Sequence, residues 1–203
     1  MTAAIFFAVE GTLLERTESP ETVAERGLET VLGEAGPALV ETYLDTVDQR
    51  PATDPAAERA GAAAVADAVD GDPDPDALVE AVREAEIEAT TVPEAARSGL
   101  SALAESDHLG VLTNRSRDWQ AAVLAAHDLD GLFETVVTAP EAGAAKPDPA
   151  IYEHACEQVD ADEYVMVGDD YEADVEAARE AGFVPIHYED DGPSLWGALD
   201  ALV

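Results

Sequence analysis

The stretch IFFAVEGTLLE, residues 5–15, decides how this chain is read. The apolar run at residues 3–8 (AAIFFA) has the composition of a strand buried on both faces of a parallel sheet. It leads directly into a Gly11-Thr12 turn, and ligands of open α/β sheets bind just beyond the carboxyl ends of the strands. The run ends at Ala8, whose methyl group can neither attack nor ligate. The residues that the chain places around that methyl group are therefore the first thing to establish.

The next segments announce helices. Ser19-Pro20-Glu21 predicts an N-cap with proline at the first helical position. Residues 37–49 and 55–69 carry apolar residues at helical spacing, the second run ending at Gly71, and DPDPDALVEAVREAEIEAT starts a further helix after an Asp-Pro turn. No strand is predicted until HLGVLT at 108–113, so a separate helical unit is expected over residues 15–92. From there helices and strands alternate: helix 94–106, strand 108–113, helix 116–127, strand 134–138, helix 148–159, strand 163–168, helix 171–181, strand 184–188 and helix 193–202. Such alternation predicts right-handed crossovers and an α/β fold, a Rossmann-like parallel sheet sandwiched by helices. Residues 1–14 and 93–203 would form this core.

Composition narrows the partners. The 203 residues are 47% hydrophobic, which places the chain among globular proteins in spite of its charge. Forty-five acidic residues against ten basic ones give a net charge of −35, which excludes nucleic acid and anionic membrane as partners because phosphate backbones need a basic stripe. The acid is spread along the whole chain, and the basic residues are one lysine, Lys146, and nine arginines. An evenly acidic, lysine-poor globular chain resembles the proteins of salt-accumulating halophiles, where molar salt shortens the Debye length to about 3 Å and screens self-repulsion. The single cysteine, Cys156, rules out an internal disulfide, fits a reducing cytoplasm and is read as a core residue. The N-terminal apolar run lacks a basic flank and nothing approaches the ~20 apolar residues of a membrane span, so a cytoplasmic location is expected.

The residues after each strand form a set. Ala8-Val9-Glu10-Gly11-Thr12 comes after the first, Thr113-Asn114 after the second, Lys146-Pro147 opens the helix after the third, and Gly168-Asp169-Asp170 with Asp174 comes after the fourth. A hydroxyl, a cation and a carboxylate cluster at one sheet edge suit a phosphate beside a hard divalent cation.

AVEGT, VLTN, AKPDP and VGDDYEAD, in this order and spacing, resemble the four motifs of the haloacid-dehalogenase-like (HAD) superfamily of phosphatases: D-x-D-G-[TV], an apolar strand ending in Ser or Thr, a Lys, and G-D-x(3–4)-D. The phrases KPDPAIY and DVEAAREAG and the helical insert after the first motif extend the resemblance over most of the chain. It implies a Mg²⁺-dependent phosphatase of small phosphorylated molecules, with the insert acting as a cap hinged near Leu14–Arg16 and Thr90–Pro93. In the family the first Asp of motif one attacks phosphorus, and Ala8 holds that place. The second Asp protonates the leaving oxygen, and Glu10, one methylene longer, holds that one. By the same resemblance Gly11, Thr113, Asn114 and Lys146 would bind the phosphoryl group. The metal would sit on Asp169, the backbone carbonyl of Glu10 and the missing nucleophile carboxylate, with Asp174 or Asp170 acting through water. The departures at positions 8 and 10 leave open three readings: a hydrolase with little or no activity, a non-catalytic protein that still binds a phosphorylated ligand, and a hydrolase working through water or Glu10.

Lys146 stands out because arginine is the default base of this chain, and a compact ammonium suits a point-charge contact better than a planar fork. Thr12 is read as a loop residue. Arg115 and Arg117 would face either an anionic substrate or solvent. The four histidines show no ligand spacing, and Trp119, Trp196 and the tyrosines are read as packing residues. The sequence names no substrate and no oligomeric state.

Overall fold

The computed structural model describes residues 2–93 and 96–188, and the helix predicted over 193–202, with Trp196, lies outside them. The chain divides into two units, Met1–Glu15 with Val92–Val203, and Arg16–Thr91. In the first unit five strands form one parallel sheet: β1 (Ala3–Phe7), β4 (His108–Thr113), β5 (Thr135–Thr138), β6 (Glu163–Gly168) and β7 (Val184–His187). Their order is β5-β4-β1-β6-β7, so the chain reverses direction across the sheet on either side of β1. The register sets Phe7 of β1 opposite Val111 of β4 and Val167 of β6, which aligns the carboxyl ends of the three central strands.

The strands form because their apolar runs are covered on both sides. On one side Phe6, Ala8, Leu112, Val137, Ile151, Tyr152, Met166 and Phe183 share a core. Phe183 meets Phe6 and Tyr152 edge to face, with ring centroids 6.1 and 5.7 Å apart. Each large side chain removed from water here contributes about 1.5–3 kcal/mol. Helices α5 (Ala96–Leu103), α6 (Arg117–Ala126), the single turn α7 (Ala139–Ala142) and α8 (Pro149–Gln158) belong to this unit. Asp148 caps α8 by accepting from the Ala150 N–H. Cys156 is half-buried against the core, and burial pushes its thiol pKa up.

The second unit holds four helices: α1 (Pro20–Leu32), α2 (Pro37–Asp48), α3 (Ala57–Ala68) and α4 (Pro75–Glu88). Ser19 caps α1 and Pro20 opens it, as the local sequence predicts. No described helix is long and apolar enough to cross a membrane.

Several elements differ from expectation, the single turn α7 among them. Strands occur between residues 8 and 108 after all: β2 (Glu15–Arg16) and β3 (Thr90–Thr91) pair with each other, and two residues are too few to carry a periodicity. The helix predicted over 171–181 is wound as a π-helix at Tyr171–Ala177 and becomes α-helical only at α9 (Ala178–Glu180). The wide turn accompanies a side chain folded back into it, since Asp174 Oδ2 accepts from the Asp170 N–H at 3.2 Å.

Candidate functional site

The loop after β1 is held by its own backbone. The Ala8 N–H extends the ladder to the Val167 carbonyl at 2.9 Å, and the Val9 carbonyl accepts from Leu13 and Leu14, each at 2.9 Å. The Gly11 N–H bonds to Leu14 O, and Gly11 sits at φ +77°, in the left-handed region that glycine enters without steric cost. A Cβ on Gly11 would lie 2.2 Å from Asp169 Oδ2. Gly11→Ala is therefore expected to lower stability by about 2–5 kcal/mol, the cost of an L-residue in left-handed backbone plus that of displacing the Asp169 carboxylate from the buried Thr12 hydroxyl. A shift of that size in the urea midpoint with an unchanged slope would be the measured result.

Alignment of the strand ends brings the first two motifs and the fourth to one edge of the sheet. Thr12 is not merely a loop residue: it is fully buried, and its hydroxyl donates to Asp169 Oδ1 at 3.0 Å, tying the first motif to the fourth. Asn114 does not offer its side chain to the site. Its Nδ2 donates to the Lys146 carbonyl at 3.0 Å and its Oδ1 accepts from the Lys146 N–H at 2.8 Å, so it clasps the Lys146 backbone from both sides. The Lys146 ammonium in turn donates to Asp174 Oδ1 at 2.6 Å, with the two side chains 9% and 2% exposed. Gly168 gives that carboxylate its room, since a Cβ there would lie 2.1 Å from Asp174 Oδ2. Burial raises the Asp174 pKa above the ordinary carboxylate range, and the Lys146 charge opposes the rise.

Thr113 is buried, its hydroxyl donating to Gln120 Oε1 at 3.2 Å and accepting from the Arg115 N–H at 3.1 Å. Ala8 is 5% exposed and packs within the core, so position 8 presents no side-chain oxygen. Glu10 Oε1 is buried without a hydrogen-bond partner among the described residues. Arg115 lies over the Trp119 ring, 4.5 Å from its centroid, and Arg117 pairs with Glu141, so neither faces solvent alone. Trp119 packs as expected, whereas Tyr171 is 54% exposed and touches His187 edge to face.

A Mg²⁺ ion usually keeps several waters and takes one or two carboxylates, and here one Asp169 oxygen lies outside the Thr12 bond while the carboxylate that the resemblance places at position 8 is missing. Both Asp174 oxygens are engaged, by Lys146 and by the Asp170 N–H. Among the described residues no three His, Cys, Asp or Glu side chains are gathered to hold a metal.

Gln120 is a site neighbour that the sequence pattern does not single out by motif. A signal is nonetheless present: helix α6 buries Trp119, Gln120, Val123 and Leu124, and one member of that stripe is an amide.

Comparisons with known proteins agree with this geometry. Residues 2–182 match the family model of the haloacid dehalogenase-like hydrolases. Over 115 residues the chain is 37% identical to a plasmid phosphoglycolate phosphatase of Cupriavidus necator, a match covering 52% of this chain and 48% of that protein. The chain matches no more than half the length of the curated relatives it resembles. The 2-haloacid dehalogenase of Pseudomonas syringae superposes with a TM-score of 0.69 at 26% identity, covering 96% of this chain and 92% of that one. The magnesium-bound HAD-hydrolase YfnB of Bacillus subtilis gives the same score at 17% identity, covering 98% and 99%, a likeness of fold alone. Hydrolases of this family generally use Mg²⁺. A parallel five-stranded sheet, four motifs in order at its edge and a family match over nearly the whole chain lead to one conclusion: this chain belongs to the haloacid dehalogenase-like hydrolase family.

Proposed function

We propose that this chain binds a small phosphorylated molecule at the carboxyl edge of its sheet and does not hydrolyse it. The observation that carries the reading is Ala8. The reaction of the family, on the resemblance of its motifs, begins with a carboxylate at this position attacking phosphorus. An alanine there leaves the phosphorus with no attacking atom. A dehalogenase is disfavoured for the same reason, since its covalent step needs the same carboxylate. Thr113, Lys146 and the backbone around Gly11 remain as candidate phosphate ligands, and Lys146 keeps two ammonium protons beyond the one given to Asp174. The helical unit, residues 16–91, would serve as the cap that selects the ligand. The proposal does not depend on Mg²⁺, because its candidate phosphate ligands are Thr113, Lys146 and backbone N–H groups.

Calorimetric titration with inorganic phosphate, in molar KCl to suit a halophile-like charge of −35, tests the reading. Saturable binding that weakens by at least about tenfold in Thr113→Val, yet remains measurable through Lys146, is the expected outcome. An absence of heat in the native protein at millimolar phosphate would overturn it.

A further inference from the structure

Gln120 is fully buried on the core-facing stripe of α6, and its two amide atoms are treated unequally. Oε1 accepts the Thr113 hydroxyl at 3.2 Å, while Nε2 is buried with no hydrogen-bond partner among the described residues. Orphaned buried N–H groups are rarer in folded proteins than under-satisfied carbonyls, so this amide stands the less usual way round.

The hydroxyl of Thr113 has one proton to give and two lone pairs to offer. The Arg115 N–H takes one lone pair, and Gln120 Oε1 takes the proton. In this arrangement Thr113 has no proton left for an anion. A half-turn of the Gln120 amide about its last side-chain bond exchanges Oε1 and Nε2 at almost no change in shape. Nε2 then donates into the second lone pair of Thr113, and the hydroxyl proton is released toward an incoming oxygen.

We propose that Gln120 is a positioning residue that switches Thr113 between two states: proton held by the protein when the site is empty, and proton donated to a phosphoryl oxygen when a ligand is bound. The inference rests on the reading that Thr113 meets phosphate. It gives Gln120 a role through Thr113 without any contact with the ligand. Both states keep the Arg115 N–H bonded, so the strand end does not move.

The test uses the full chain in molar KCl with inorganic phosphate as the probe. Affinities are measured for native protein, Gln120→Glu, Gln120→Met, Thr113→Val and Thr113→Val/Gln120→Glu, and the side-chain amide resonance of Gln120 is followed through the titration. In Gln120→Glu the ionised carboxylate can only accept, so it keeps the Thr113 proton, and phosphate should bind about tenfold more weakly at alkaline pH. That deficit relative to native protein should shrink as pH falls, because a protonated carboxyl can donate as the amide does. Gln120→Met should lose less than Gln120→Glu, and the double variant should bind no more weakly than Thr113→Val alone. The Gln120 amide resonance should move with phosphate in native protein and stay fixed in Thr113→Val. A merely structural Gln120 would lower the melting temperature of both Gln120 variants and leave phosphate affinity and its pH profile as in native protein, which would overturn the inference. Additive losses in the double variant would overturn it as well. If native protein binds no phosphate, the reading of the site fails and the inference with it, an outcome distinct from phosphate binding that ignores Gln120.

Discussion

Ala8→Asp is expected to make this protein hydrolyse an aryl phosphate in molar KCl with Mg²⁺ present, where the native chain shows no turnover above background. The gain should be on the order of 10⁶ in kcat, the scale of the loss when a hydrolase of another type is deprived of a nucleophile that acts as part of a unit. The substitution adds a carboxylate at the end of β1, where a covalent phosphate intermediate can form, and it also adds an oxygen to a donor set that lacks one. Activity should rise by a further ~10² in Ala8→Asp/Glu10→Asp, because the longer Glu10 side chain puts its carboxyl about one bond length from where an aspartate would hold it. Native turnover within tenfold of the single variant would defeat the proposal and point to Glu10, whose Oε1 is buried and without a partner among the described residues. Loss of that turnover in Glu10→Ala would then identify it as the working group.

The fold is legible in the sequence because its signals are local. Strand β6 occupies the predicted residues 163–168, since EYVMVG is an apolar run stopped by Gly168, and α8 falls within the predicted 148–159, although Asp148 and Pro149 open it and the Lys146-Pro147 pair lies before it. Much of the site's wiring is not legible, because it is made through space. Asn114 and Lys146 are 32 residues apart, and nothing in VLTN shows that the asparagine amide will grip a distant backbone. Thr12 and Asp169 are 157 residues apart. The π-helical turn at 171–177 escapes periodicity altogether, for it is a choice of hydrogen-bond register made where Asp174 folds back on the Asp170 N–H. The strand-end residues can be found by looking just past each apolar run; the partners of those residues cannot.

Lys146→Met should destabilise the core more than any surface change. Asp174 is 1% exposed, and its carboxylate would be left buried with the Asp170 N–H as its remaining partner in the site. Removing one member of a buried pair costs about 3–5 kcal/mol, largely through the uncompensated charge that remains. For a chain of this length that corresponds to a fall in melting temperature of roughly 6–20 °C. Asp174→Asn added to Lys146→Met should recover most of the loss, since no charge then stays buried, while phosphate affinity should remain absent because the cation is gone. The pH dependence derives from the Asp174 pKa, which burial raises and Lys146 holds back. Without Lys146 the folded state binds the Asp174 proton more readily than the unfolded chain does. Stability of Lys146→Met should therefore fall as pH rises through the elevated value, and its deficit should close as pH drops toward the ordinary carboxylate range. Denaturation curves of the two variants and native protein across that range decide the matter. A Lys146→Met deficit that is independent of pH, or that persists unchanged in the double variant, would mean that lost packing of the lysine stem, and not the stranded carboxylate, is what destabilises the fold.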